Sequence, residues 1–331
     1  MYITASINVR LVTGIFLLSL LSACASTPQT LQLKSHPPEQ IQPQAELTSV
    51  AFFPQRQYQC GPAALATILD HSDIKITPDE LTGKVYIPQR KGSLQLDMIA
   101  TARSYGLLSY KLAPKLSALL NEINNGNPVL VFQNLSLAIW PQWHYAVAVG
   151  YNLSTAELIL RSGAIRQHSV SFSTFERTWQ RAKHWSYVVI KPGEIPFTAN
   201  PIDYTQASQD LQSSGFPRQA LKAFRAGAKR WPDNSITLMA LGNSEYAAGN
   251  YDKALLAFYS ELNQRKTNAS AWNNLAYVLA AKNCKDQALQ AVNCAMSLSP
   301  SDKNIEQSLL EIHQSSVSDT GSCENITCPT H

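Results

Sequence analysis

The sequence contains no HExxH, no paired CxxC and no acidic loop, so it offers no recognisable metal site. It has no glycine-rich phosphate loop, which removes the common nucleotide-binding devices, and no cofactor is expected. Lysine and arginine nowhere gather into a run. The 27 basic and 23 acidic residues leave a net charge of only +4, which argues against a nucleic-acid partner. The apolar run from Leu11 to Leu21 is shorter than the ~20 residues of a permanent membrane span.

That run nevertheless has a use. One basic residue, Arg10, precedes it, as in a secretory signal. Its end, Leu21-Ser22-Ala23-Cys24, resembles a bacterial lipobox. The resemblance implies that residues 1–23 are removed and that Cys24 carries lipid. Ala25, where an aspartate would resemble an inner-membrane retention signal, points to the outer membrane facing the periplasm. Residues 24–49 are rich in Gln, Pro and Ser, and read as a flexible tether with an end-to-end distance of about 25–30 Å.

The export signal implies an oxidising compartment. With Cys24 lipidated and Cys60 kept as a thiol, Cys284, Cys294, Cys323 and Cys328 remain, and four cysteines allow three connectivities. Cys323 and Cys328, in the polar tail 313–331, are expected to clip to each other, with Cys284 and Cys294 as buried free thiols.

Residues 50–197 read as an α+β domain. Helices are expected over Cys60–Ser72, from Thr77 or Asp79 onward, before Gly106 and before Gly126. β-branched and aromatic residues mark strands in "LLSYKL", "NPVLVFQN", "HYAVAVGYN", "AELILRSG", "RQHSVSF" and "HWSYVVIKPG". A helix capped by Ser173 or Thr174 separates the last two.

From 198 to 312 the strands stop and a 34-residue period begins. Ala220-x3-Phe224 recurs as Ala254-x3-Phe258 and Ala288-x3-Val292, with Tyr204, Leu238 and Trp272 in the same register. This is the period of the tetratricopeptide (TPR) helix-turn-helix, and about three units are present. The first is degenerate, with Ala207-Ser208 in place of Leu241-Gly242.

"PQRQYQCGPAALATIL" puts Cys60 at a helix entrance, where the dipole favours a thiolate. Pro62 suits a first turn, and Gly61 would keep the backbone beside the sulfur accessible. Upstream glutamines offer an amide to an oxyanion. His144 in "WHYAVAVGYN" is the candidate base. Alternation sets it on one face with Ala146 and Ala148, whose small size would leave room for a substrate. Trp140 and Trp143 read as packing residues.

"QCGPAALATIL" followed by "WHYAVAVGYN" resembles the papain-like cysteine peptidases that process bacteriocins behind double-glycine leaders, more closely their lipoprotein branch with C-terminal TPRs. The resemblance implies a papain-like fold, with Cys60 as nucleophile and His144 as base. Gln55, after the apolar "VAFFP" strand, would be the oxyanion amide in preference to Gln57 or Gln59. The family carries an aspartate after the strand that follows the histidine. Here that strand ends in Leu160-Arg161-Ser162-Gly163, leaving Ser162, Glu157, a main-chain carbonyl or nothing to orient the imidazole. The expected activity is cleavage of peptide bonds in a peptide or protein substrate, with the repeats recruiting substrate or an envelope partner. The alternatives are a catalytically weak or inactive adaptor that binds peptide segments, and a transferase or amidase using the same dyad.

Overall fold

A computed structural model describes residues 27–38, 40–315, 323 and 325–329. Its N-terminal region is a seven-stranded antiparallel sheet with helices on both faces. The strands are β1 (Gln44–Glu46), β4 (Leu108–Lys111), β5 (Val129–Asn134), β6 (Trp143–Asn152), β7 (Glu157–Ser162), β8 (Ile165–Ser171) and β9 (Ser186–Ile190). Their order is β4-β9-β5-β6-β7-β8, with β1 pairing the far end of β6. β2 (Tyr86–Ile87) and β3 (Gly92–Ser93) form a separate small hairpin.

Strict alternation along β6 serves two cores. Tyr145, Val147 and Val149 face helices α2 (Cys60–His71), α3 (Pro78–Val85) and α4 (Gln95–Ser104). Ala146 and Ala148 face α5 (Leu116–Asn124) and α6 (Phe172–Arg181). Both alanines are fully buried, so their small side chains make room for packed helices and not for a substrate. α3 opens with a capping box between Thr77 and Glu80. α6 is capped by Ser171, one turn boundary earlier than Ser173 or Thr174, because β8 runs straight into the helix.

The segment 24–49 departs from the expected tether. Pro28–Ser35 forms helix α1, and Gln44–Glu46 joins the sheet. Composition missed this because the holding group lies far along the chain. The buried carboxylate of Glu176 accepts the main-chain N–H groups of Gln29 and Thr30 and the Thr30 hydroxyl, at 2.6–3.0 Å. A carboxylate at a helix N-terminus satisfies unpaired donors and complements the dipole. The signal region and Cys24 lie outside the described residues. The "VAFFP" stretch forms no strand.

The helical region contains α7 (Pro201–Ser213), α8 (Pro217–Arg230), α9 (Ser235–Ala247), α10 (Tyr251–Gln264), α11 (Ala269–Ala281), α12 (Lys285–Leu298) and α13 (Lys303–Gln314). The first six pair as three hairpins. Their period has a steric origin: a Cβ on Gly242 would lie 2.6 Å from the Phe258 ring. The equivalent Ser208 and Ala276 are likewise small and fully buried. The first hairpin is fused to the sheet. Tyr204, Leu211, Ala220 and Phe224 share one core with β4, β5 and β6, and Arg103 pairs with Asp210 across the junction. Glu122, fully buried, accepts from Phe197 N, Thr198 N and the Thr198 hydroxyl, fixing the connection.

The disulfides are Cys284–Cys323 and Cys294–Cys328. The expected Cys323–Cys328 clip does not form. Cys284 caps the start of α12 and Cys294 lies within it, and Ile326, between Cys323 and Cys328 in the chain, is buried against the same core with its carbonyl held by Gln290.

Candidate active site

Cys60 is the first residue of α2 and is half-buried and unbonded to any other cysteine. The helix begins there because a turn at Gln57–Tyr58 forces Tyr58 to φ +65 and lets Gln59 N–H bond Arg56 O. Gly61 has a packing role that differs from the expected one. A Cβ there would lie 2.2 Å from Ser93 Oγ, so its absence lets the β2–β3 hairpin close on the helix.

The beginning of β6 supplies the opposite wall. At Tyr145, β7 has not yet reached its ladder position, since pairing starts at Val147–Arg161. The free edge of Tyr145 is used by the site. Its carbonyl accepts from Gln55 Nε2 at 3.4 Å, and its main chain lies close enough to the Cys60 sulfur to favour the thiolate form. Tyr145 thus connects the candidate nucleophile to the candidate oxyanion amide. The sequence gives no sign of this, because the main chain acts and not the phenol.

His144 Nε2 lies 2.8 Å from Ser162 Oγ. Of the orienting groups left open by the sequence, the serine occupies this position. The next residue, Gly163, at φ +59, accepts the Gln55 main-chain N–H at 3.0 Å. One turn, Ser162-Gly163, therefore holds both the imidazole and the glutamine. With Nε2 engaged, Nδ1 is the ring atom left for chemistry. A carboxylate accepts only, and so fixes the proton on Nε2. A hydroxyl donates or accepts and leaves both tautomers available.

Cys60, His144, Gln55 and Gln57 line one open cleft of about 1150 Å³; Gln59 does not reach it. Trp143 also lines it, stacked on Phe132 with centroids 5.2 Å apart. Trp143 is 50 % exposed and Trp140 77 %, so neither is the packing residue that its size suggested. Among the described residues no hydrogen bond joins the Cys60 sulfur to His144. Such bonds are often loose without substrate.

Electrostatically the pair is neutral at rest. Burial pushes the Cys60 thiol up, and main-chain hydrogen bonds from Tyr145, Gly61 and Cys60 itself oppose this without reversing it. The expected depression by the helix dipole does not prevail, since the sulfur has lost water and has no full positive charge at hand. Burial also lowers His144 to about 4, helped by His168. Both shifts favour the neutral forms over a preformed thiolate–imidazolium pair.

The sheet domain is thus an antiparallel α+β unit with a cysteine at a helix start and a histidine on the facing strand. Residues 47–187 match the family described as Peptidase_C39 like, and residues 205–269 match the tetratricopeptide repeat. The chain carries a C39-like peptidase domain followed by TPR helices. No curated protein matches the chain. Among solved structures, a putative C39-like peptidase from Bacillus anthracis is 16% identical, with a TM-score of 0.37, covering 45% of this chain and 98% of its own. A double glycine motif protease from an AMS/PCAT transporter, in complex with the leader peptide, is 19% identical over 43% of this chain and 89% of its own, with a TM-score of 0.32. The peptidase domain of Streptococcus ComA, a bi-functional ABC transporter involved in a quorum sensing pathway, is 16% identical over 42% and 96%, with a TM-score of 0.34.

Proposed function

We propose that the protein is an envelope lipoprotein that cleaves peptide bonds, with Cys60 as nucleophile. The observation that carries this is the convergence of a thiol, an imidazole and a side-chain amide on one solvent-open cleft. Cys60 Sγ attacks the scissile carbonyl carbon as its proton passes to His144 Nδ1. The developing oxyanion is held by the Gln55 amide and the main-chain N–H of Cys60. Collapse breaks the C–N bond, and His144 returns the proton to the leaving amine. Water then cleaves the thioester with the same base.

Ser162 sets the rate in this scheme. It positions the ring, but gives the transient imidazolium no negative charge, and it does not fix the tautomer. An orienting amide that holds the imidazole in the wrong tautomer costs a serine triad about 10⁴ in kcat. Turnover here should therefore be slow. The competing reading, a peptide-binding adaptor with little or no catalysis, is favoured by the absence of that carboxylate and by the unmade Cys60–His144 bond. Terminal-peptide profiling of envelope proteins with the wild-type chain and Cys60→Ala separates the two readings. New termini that vanish in Cys60→Ala and His144→Ala support the peptidase. Identical profiles leave the adaptor.

Lipid on Cys24 would hold the body close to the membrane. Four residues lead from Cys24 to Pro28, where α1 begins, a reach of at most about 14 Å. Cys24→Ser should release the protein into the soluble envelope fraction, and unchanged membrane retention would exclude the anchor. The repeats would then offer substrate at a fixed position, since their first hairpin shares the core of the peptidase sheet.

A further inference from the structure

The cleft has a one-sided charge. Of the 22 residues that line it, Arg56, Arg90, Lys91, Lys111, Arg181 and Lys183 are basic and none is acidic. The whole chain has almost as many acidic as basic residues, so the imbalance belongs to this surface. Only Arg56 is partly neutralised, by Asp79 at 3.5 Å on the rim. Arg181 donates to the Asn134 carbonyl, and Lys91 lies 5.5 Å from the centre of the Tyr58 ring. Among the described residues Arg90, Lys111 and Lys183 have no side-chain partner. Asp97 acts on the Tyr145 phenol, but does not line the cleft.

The backbone presents two of these cations under strain. Lys91 has φ +50 and Lys183 φ +55, a left-handed conformation that disfavours side chains other than glycine, asparagine or aspartate. Both residues end a helical turn, which is what sets their left-handed backbone and aims their side chains at the cleft rim. The cleft also exceeds the roughly 300–1,000 Å³ of small-molecule pockets, so a polymer segment suits it. Four glutamine amides, Gln55, Gln57, Gln95 and Gln142, line it and offer both donors and acceptors. A peptide main chain uses both kinds of group, whereas a phosphodiester chain uses only the donors.

We propose that this cleft selects a peptide segment rich in aspartate and glutamate, lodging its carboxylates against Lys91, Lys111, Lys183 and Arg90 beside Cys60. This deepens the peptidase reading and rests on it for cleavage, though not for binding. Each partly exposed pair is worth about 1.5- to 5-fold in affinity, so three or four together give about 10-fold or more at low salt once each is worth about 2-fold.

The test uses full-length Cys60→Ala, which cannot turn over. It compares a fluorescent Glu-rich peptide with its Gln and Lys counterparts by anisotropy at ~50 mM and ~500 mM salt. The Glu peptide should bind at least about 10-fold tighter at low salt and lose most of that margin at high salt. Lys91→Glu/Lys111→Glu/Lys183→Glu should reverse the order, and the corresponding glutamine variant should level it. If neither variant folds, the salt-dependent preference of the parent decides. Equal binding of the three peptides overturns the proposal, as does displacement of the Glu peptide by a DNA oligonucleotide of equal charge at lower concentration. Wild-type protein that cleaves all three peptides alike overturns it and leaves the hydrolase. Selective binding without cleavage supports it and removes the hydrolase.

Discussion

The cleft and the helical end treat their charged side chains and their cysteines in opposite ways. In the helical end, buried charge is satisfied from several sides. Glu261 accepts from Ser235, Arg265 and Asn268, and Glu245 takes a two-pronged contact from Arg225 and another from Asn250. All four cysteines there are spent on bridges. In the cleft, Arg90, Lys111 and Lys183 have no side-chain partner among the described residues, and Cys60 is a free thiol. A buried polar network that is fully paired rigidifies, whereas unpaired groups around an open cleft are held ready for something absent. The contrast separates a part built to persist from a part built to react.

The sharpest way to break this contrast is Gln55→Ala. If the amide serves the oxyanion, kcat should fall about 10²–10³-fold, since one such donor is worth that much. Thermal stability should hardly change, because its one contact, to the Tyr145 carbonyl, is long. A lowered melting temperature with unchanged kcat would make Gln55 structural.

At the other end, Cys284→Ser/Cys294→Ser should remove about 2–4 kcal/mol per bridge in the entropy account of loops closed over 39 and 34 residues. Urea unfolding under reducing and oxidising conditions measures it. Peptide cleavage should survive, because the bridges lie in a core separate from the sheet.

Glu261→Gln should cost about 1–3 kcal/mol, the usual effect of weakening a charge-assisted buried group, and Arg265 is exposed enough to regain water. The equivalent change at Glu176 should loosen α1 and expose residues 28–35 to proteases. A fourth prediction concerns acid. The folded-state value of His144, about 4, lies below its ordinary 6.5, so the unfolded chain binds the proton first as pH drops. The associated stability is present above pH 6.5 and is lost as pH falls toward 4. His144→Gln should flatten that slope in melts taken across this window. Ser162→Asp should do the reverse to activity: a carboxylate beside the ring raises its pKa and moves the acid limb of kcat/KM upward.

How much of this was legible in the sequence depended on range. The six strand candidates of the domain and the 34-residue repeat come from local side-chain pattern, and the structure has them. The helix start at Cys60 follows from Gly-Pro chemistry. What stayed hidden depends on residues far apart. Glu176 folds α1 from 146 residues away, and the Tyr145 main chain links Gln55 to Cys60 through an unpaired strand edge. Trp143 looked like a core residue because size favours burial, yet it forms a wall of the cleft. The helix dipole suggested a thiolate at Cys60. Only the packed surroundings reveal that lost hydration outweighs it.

That last point is central, and the rate of Cys60 alkylation by iodoacetamide against pH tests it most directly. A buried thiol beside a neutral imidazole should react slowly at neutral pH, with a single rise above the ordinary thiol range and the same profile in His144→Ala. A fast plateau already present at pH 5–6, abolished by His144→Ala, would reveal a preformed ion pair and contradict the account.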